Sequence, residues 1–474
     1  MKPRNIFAYC LICLLFYQCQ NTATTNSPSL SHSYSIDYKT MQSPNTVAQT
    51  LGINTIWGWG HPQGNNDTTK GAHFFCQLTP NIRSYHEWNW DTPTPNTIPN
   101  YTQMAQGNGT EAQTWLNWDT EYALWKKAGA NIQVSIKFDN QTQPLWIWDN
   151  PYQNAYNYGY AFAKHFGQMH GNGLVDAIEI GNEPWNYPSI FYQNVLNGMV
   201  NGIRTADSTL VILPCALQCN NPNAENTDLK NYAPTRLTPQ AISKLSGFNG
   251  HYYSYGTNTK GLQIALPPEH PNSTFRDILA DLRFRDTHLP QKAFYVTEFG
   301  WDSSSANETC THPQCVSEEQ QAAYALRAFL VLMRLGVDKA YWYFYANTDN
   351  AKPSKLYARS GLTESVENHF IPKKSFFALQ QFIKIMGNAY FINTIQENEQ
   401  AYVYAFGSSP QNSTHWVMWQ PNNQNTIIDL AEIPHLPKKN YRIWQWNDTS
   451  KQFITQNLAK NTKIMLSEMP IILE

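Results

Sequence analysis

Asp176-Ala-Ile-Glu-Ile-Gly-Asn-Glu-Pro184 carries a short apolar run into a carboxylate and then stops it with proline. Ala293-Phe-Tyr-Val-Thr-Glu-Phe-Gly-Trp301 repeats the design, with Glu298 standing where Glu183 stood. Working outward, comparable β-branched or aromatic runs occur at 52–58, 81–87, 131–138, 176–182, 209–216, 248–255, 293–299 and 339–346. Between several of them the apolar residues keep helical spacing: Leu116, Tyr122, Leu124 and Trp125 in Thr114–Ala128, Ala323, Leu326, Leu330 and Met333 in Gln320–Leu335, and Phe376, Leu379, Phe382 and Ile383 in Ser375–Met386. Eight strands alternating with helices predict a (β/α)₈ TIM barrel spanning 41–388, with enlarged Asn- and Pro-rich loops at 60–80, 91–113 and 218–237.

From 389 the pattern changes to short alternating runs at Tyr402–Phe406, Trp416–Trp419, Thr426–Leu430, Tyr441–Trp446, Lys463–Leu466 and Ile471–Leu473, parted by Asn, Pro and Ser. This predicts a small all-β sandwich over 389–474. At the other end, Lys2 and Arg4 precede an apolar run from Ile6 to Tyr17, too short to span a bilayer as an ordinary helix. Residues 1–19 therefore read as an export signal and 20–40 as a polar linker. Two readings stay open: plain secretion or periplasmic release, and membrane attachment through a lipidated Cys19, which Gln18 fits poorly. The later cysteines suit an oxidising compartment, with local disulfides expected for Cys215–Cys219 and Cys310–Cys315 and with Cys76 left over and buried. Four cysteines binding zinc is the alternative, weakened because neither of these two pairs has C-x-x-C spacing.

Composition narrows the partners. Lys and Arg total 33 against 35 Asp and Glu, so no basic excess is present to neutralise phosphates, and no nucleic-acid partner is expected. Charged residues make up 14% of the chain, below the usual quarter, while aromatic residues reach 14%. Aromatic faces among uncharged polar groups suit a neutral, hydrogen-bonding ligand.

Glu183 and Glu298 are 115 residues apart (298 − 183), or about 38 for each of three βα units, which places them on strands four and seven. There they face one another across the barrel mouth, and a facing carboxylate pair can cleave a glycosidic bond in two ways. At about 5–5.5 Å one attacks the anomeric carbon while the other donates and then accepts a proton, whereas a wider gap admits a water and inverts the product. Read singly, each is an ordinary strand-end glutamate. Their matching contexts favour the catalytic reading.

Asn182-Glu183-Pro184 and Thr297-Glu298-Phe299-Gly300-Trp301 resemble the strand-four and strand-seven motifs of the clan A retaining glycoside hydrolases, nearest to families 39, 30 and 5. The resemblance covers about 50–387. It implies that Glu183 is the acid/base, that Glu298 is the nucleophile and that Asn182 bonds the sugar 2-hydroxyl. It likewise implies that Arg83 keeps the nucleophile charged, that His251-Tyr-Tyr253 supplies a donor from Tyr253, and that Trp342 floors the sugar site.

Neighbouring residues add weaker expectations. Glu179 reads as a buried partner, Glu87 and Asp91 as candidate substrate contacts, and His86 as a sugar contact or a packing residue. Trp57, Trp59, Trp88, Trp90, Trp146, Trp148, Trp185 and Trp301 cluster at strand exits, where core packing and sugar stacking compete. Trp416, Trp419, Trp444 and Trp446 offer either a sugar platform or a scaffold, with scaffold favoured. His61, His73 and His86 match no metal motif, so no metal or cofactor is expected. The expected activity is hydrolysis of O-glycosyl bonds in a poly- or oligosaccharide. The alternatives are a non-catalytic carbohydrate-binding surface protein on the same barrel, and a metal-dependent hydrolase.

Overall fold

The computed structural model describes residues 33–39, 43–56, 75–106, 117–216, 236–409, 411–437, 440–459 and 462–474. The expected leader with Cys19, together with Trp57, Trp59, His61, His73 and Cys219, lies outside the described residues. Among the described residues no helix is long and apolar enough to cross a membrane.

All eight barrel strands form: β1 (Leu51–Ile56), β2 (Asn81–Glu87), β3 (Asn131–Lys137), β4 (Ala177–Ile180), β5 (Val211–Pro214), β6 (Gly247–His251), β7 (Ala293–Phe299) and β8 (Lys339–Trp342). They pair in parallel in the order β5-β4-β3-β2-β1-β8-β7-β6. The two ends of that order meet at Ser246, whose backbone N–H donates to Ile212 O at 2.8 Å while its hydroxyl accepts the Ile212 N–H at 3.0 Å. Alternation along each strand sends Ile82, Val134, Ile178 and Ile212 outward, where the helices bury them completely. The other parity fills the barrel. Leu213, Tyr295 and Tyr341 form a small apolar cluster there, and Asn54, Arg83, Glu179, Asn249 and Thr297 form a polar layer joined by hydrogen bonds.

The helices Pro151–Phe166 and Ser189–Ala206, which follow β3 and β4, pack unusually closely. A Cβ at Gly198 or Gly202 would collide with the carbonyl of Tyr152 or Tyr156, so only glycine permits this approach. The pair therefore braces the strand that carries Glu183.

Beyond the helix Lys374–Met386 come β9 (Tyr390–Glu397), β10 (Tyr402–Gly407), β11 (His415–Trp419), β12 (Thr426–Asp429), β13 (Tyr441–Asn447), β14 (Gln452–Leu458), β15 (Lys463–Leu466) and β16 (Ile471–Leu473). Six of them make an antiparallel sheet in the order β9-β10-β11-β16-β13-β14, and β12 pairs with β15. Tyr402, Tyr404, Phe406 and Trp419 turn one face of that sheet into the barrel's own core, while Val403, Ala405, Trp416 and Met418 build a second core behind it. Trp416 and Trp419 are thus scaffold, and Trp444 and Trp446 pack half-buried against the larger core. The Trp419 indole donates to Glu269 at 2.6 Å, and Glu269 forms a fully buried ion pair with Arg327 at 2.6 Å.

Residues 33–38, expected within a linker, instead dock onto the fold. Ile36 and Tyr38 are buried, and Arg334 donates to both their carbonyls while pairing with Glu397 at 2.8 Å. The Cys310–Cys315 disulfide forms as expected. Cys215, expected to pair with Cys219, is instead a free thiol just beyond β5, wholly buried beneath Gly181, and burial pushes it far up. Cys76 is also free and only half-buried, its thiol pushed up to about 12 by burial.

Candidate active site

Strict alternation along β7 would turn Thr297 inward and Glu298 outward. The pairing of β7 instead shifts register against both neighbours: Gly250↔Val296 is followed by His251↔Glu298, and Val296↔Ala340 by Phe299↔Trp342. This bulge brings Glu298 to the mouth beside Thr297, whose hydroxyl accepts from Asn249 at 2.9 Å. On β4 the chain leaves through Gly181 (φ 92°) and then Glu183 (φ 49°), a left-handed step that lifts the second carboxylate into the same space.

The two carboxylates sit in opposite surroundings. Glu298 is 5% exposed. Its Oε1 accepts from Arg83 Nη1 at 3.1 Å and from Tyr85 OH at 2.7 Å, and its Oε2 accepts from Tyr253 OH at 2.9 Å. Burial alone would raise its pKa, but His251, Arg83 and the two phenols outweigh that and hold it below the usual carboxylate range. Tyr85 and Tyr253 are driven far upward by burial and then by Glu298, so both remain hydrogen-bond donors. Glu183 is more open and makes one strong contact, Oε1 to His251 Nδ1 at 2.6 Å. Burial opposes charge on that imidazole, but Glu298 and Glu183 together carry its pKa above the ordinary histidine value. Single oxygens of Glu183 and Glu298 and a ring nitrogen of His251 all lie within 4.8 Å of one another.

Arg83 is the hub beneath. It is wholly buried and donates to Glu179 (2.6 and 3.0 Å), Asn54 (2.7 Å), Asn182 (2.8 Å), Tyr85 (3.0 Å) and Glu298. Burial opposes its charge, but Glu179 foremost restores it, so Glu179 is the buried partner expected of it. Because the Arg83 guanidinium feeds the Tyr85 oxygen, the Tyr85 proton is left to point at Glu298. Asn182 spends its oxygen on Arg83, and its amide nitrogen has no partner among the described residues.

The site thus gathers Glu183, Glu298, Arg83, Asn182, His251 and Tyr253. Three expected contacts fall elsewhere. His86 is fully buried on the helix side of β2, held by Asp91 at 2.6 Å and Tyr122 at 2.8 Å and stacked on Trp118, so it packs and meets no ligand. Trp342 is fully buried with its indole donating to Ser360 O at 2.9 Å, and Trp301 packs against it while donating to Leu266 O at 3.0 Å. Neither can floor a sugar site. Asp91 also leaves the list of substrate contacts, because it is buried and takes donors from Tyr101, Trp118, Tyr158 and His86. Glu87 is mostly buried against Lys137 at 2.8 Å.

What lines the nucleophile side instead is half-buried Tyr343, one residue beyond Trp342, with Tyr357. The Tyr343 phenol is pushed up by burial, then by Glu298 and Glu183. The Tyr357 ring lies 4.6 Å from that of Tyr253, and its backbone N–H donates to Asp302 at 2.6 Å. Tyr85, Tyr343 and Tyr357 were not singled out from the sequence. Strand parity holds the signal for two of them: Tyr85 shares a side with Arg83, and Tyr343 with the inward Tyr341.

No protein-family model matches the sequence, and no curated protein is significantly similar to it. Solved structures are similar in fold. A family 39 glycoside hydrolase from the gut symbiont Bacteroides cellulosilyticus WH2 superposes with a TM-score of 0.60 at 16% identity, over 92% of this chain and 82% of that one. A glucosidase from Croceicoccus marinus does so at 0.58 and 13% identity, over 91% and 96%. The family 51 α-L-arabinofuranosidase from Thermotoga petrophila RKU-1 gives 0.55 at 10% identity, over 92% and 97%. The fold is one that clan A glycoside hydrolases share. At such identities the likeness speaks for the fold, and the chemistry must be argued from the site itself.

Proposed function

We propose that this protein is an exported retaining glycoside hydrolase that cleaves O-glycosidic bonds in a poly- or oligosaccharide. The observation that carries the reading is the short gap between Glu183 and Glu298, oxygen to oxygen within 4.8 Å, with one carboxylate caged by donors and the other left open. Such a gap suits direct attack rather than insertion of a water.

Glu298, ionised by Arg83 and its phenol donors, attacks the anomeric carbon, and the glycosidic bond breaks as Glu183 delivers a proton to the departing oxygen. Oε1 is committed to two donors, so Oε2, which accepts from Tyr253 and has His251 Nδ1 farther off at 3.5 Å, is the attacking atom. His251 Nδ1, 2.6 Å from Glu183 Oε1, fixes the orientation of that carboxyl. Once the glycosyl-enzyme ester has formed, Glu183 takes a proton from water, the water oxygen attacks the same carbon, and Glu298 leaves as a carboxylate into its cage. The unpartnered amide of Asn182 is placed to donate to a sugar hydroxyl, and the rings of Tyr343 and Tyr357 offer faces for its C–H surface. Export rests on the charged start and apolar run of residues 2–17.

Glu298→Gln tests the reading. Hydrolysis of a responsive glycan falls by several orders of magnitude while binding survives, and NMR of the wild-type reaction shows the first-formed anomer with retained configuration. Unchanged turnover in the variant, or inverted product, overturns it.

A further inference from the structure

Trp146 is 84% exposed, the largest apolar side chain left open to water among the described residues. It sits on the 3₁₀ turn Leu145–Ile147, in the loop that leaves β3 on the face where the carboxylates stand. That turn is held firmly. The Gln141 and Thr142 N–H groups donate to Asp139 Oδ1 at 2.8 and 2.9 Å, and the Leu145 N–H donates to Asn140 Oδ1 at 3.0 Å. Trp148, two residues on, is buried edge-on against Trp88 at 5.1 Å and Phe191 at 5.0 Å, with its indole donating to Gln143 O at 3.1 Å. The same Gln143 carbonyl accepts from Tyr187 OH, in the loop that follows Glu183. The two loops are therefore one rigid rim, and Trp146 is held out from it without a ring partner among the described residues.

The surroundings of the indole select its occupant. Gln141, Thr142, Asp149 and Asn150 on the same β3 loop, and Asn186 on the β4 loop, are exposed, which puts amides, a hydroxyl and one carboxylate on this rim. A bare aromatic face on a rim of amides, a hydroxyl and a carboxylate matches the C–H face and the hydrogen-bonding hydroxyl edge of a sugar. Leu145 beside it is exposed too, and a protein partner would call for a wider apolar patch than these two side chains make.

We infer that Trp146 is a stacking platform for a further sugar unit of a polymeric substrate, outside the bond being cleaved and on the rim beside the acid/base. The inference rests on the proposed glycosidase reading and adds that the enzyme gains affinity with chain length.

The test uses the full-length protein, 4-nitrophenyl β-glycosides, and β-1,4-linked gluco- and xylo-oligosaccharides of two to six units. In the wild type KM falls as the chain lengthens. In Trp146→Ala that fall is lost, with KM for the longest chains five- to tenfold higher and kcat little altered, and Trp146→Phe recovers part of the gain. If the wild type hydrolyses these chains and Trp146→Ala shows the same dependence of KM on length, the platform is overturned while the glycosidase reading stands. If the wild type hydrolyses no glycoside at all, both fall.

Discussion

His251 Nδ1 lies 2.6 Å from Glu183 Oε1, and the same nitrogen is 3.5 Å from Glu298 Oε2, so one imidazole bridges the two carboxylates. Its pKa is raised on balance because the two acids outweigh its burial, and its charge is in turn the foremost influence lowering Glu298. Replacing His251 with Asn removes that charge, and Glu298 then holds its proton to higher pH. The acidic limb of the kcat/KM profile should move upward. A profile superimposable on the wild type would exclude this coupling.

Tyr85 supplies one of the two donors on Glu298 Oε1. A hydrogen bond to a charged group is worth about 1.5–3 kcal/mol, so Tyr85→Phe should lower kcat/KM by roughly tenfold to a hundredfold. Turnover at saturation, kcat, should fall most where breakdown of the glycosyl-enzyme limits the rate, since Glu298 must then depart as a carboxylate with one donor fewer. Pre-steady-state kinetics on an activated aryl glycoside should show a larger burst than the wild type. The acidic limb should rise here too, with the phenol of Tyr253 still in place.

How far the site could be read from the chain depends on strand alternation. All eight barrel strands were legible, because buried parallel strands read as dense apolar runs. The expected roles of His86 and Trp342 failed on parity. Arg83 and Tyr85 face inward, which sends His86 to the helices, and inward Tyr341 likewise sends Trp342 outward. Glu298 escapes the same fate only through the bulge near Thr297, a feature that no residue type announces. The strands β9 and β14 leave little trace in the sequence because Asn and Gln interrupt their alternation, and close spacing of Cys215 to Cys219 says nothing of which way the thiol beyond β5 points.

Glu179 and Arg83 are both fully buried, joined at 2.6 Å through the guanidinium Nε. Removing one partner of such a pair strands the other charge and costs about 3–5 kcal/mol. Glu179→Gln should therefore lower the urea midpoint markedly, and it should also impair activity, because a less firmly held Arg83 orients both Asn182 and Tyr85 less well. Glu269→Gln breaks the similarly buried pair with Arg327 within the barrel domain, to which Trp419 of the β-sheet also bonds. It should cost comparable stability yet leave the pH profile of activity in place, since it lies outside the carboxylate cage. Comparing the two variants separates a general loss of stability from a loss of site geometry.

Glu183, His251 and Glu298 present ligand atoms close enough together to surround a cation, which makes metal dependence the rival to be tested directly. The electrostatics oppose it. The Arg83 guanidinium already stands 3.1 Å from Glu298, and the His251 imidazole, whose pKa the two acids raise, lies 3.5 Å away, so a divalent ion would enter beside a fixed positive charge and displace hydrogen bonds that are already made. Dialysis against EDTA should leave kcat/KM within about twofold of its starting value, because a double displacement by two carboxylates needs no Lewis acid. Added zinc or manganese should leave activity unchanged or depress it by competing for Glu183. Activity lost on chelation and restored by one of these ions would assign the carboxylates to metal binding and remove the nucleophile from Glu298.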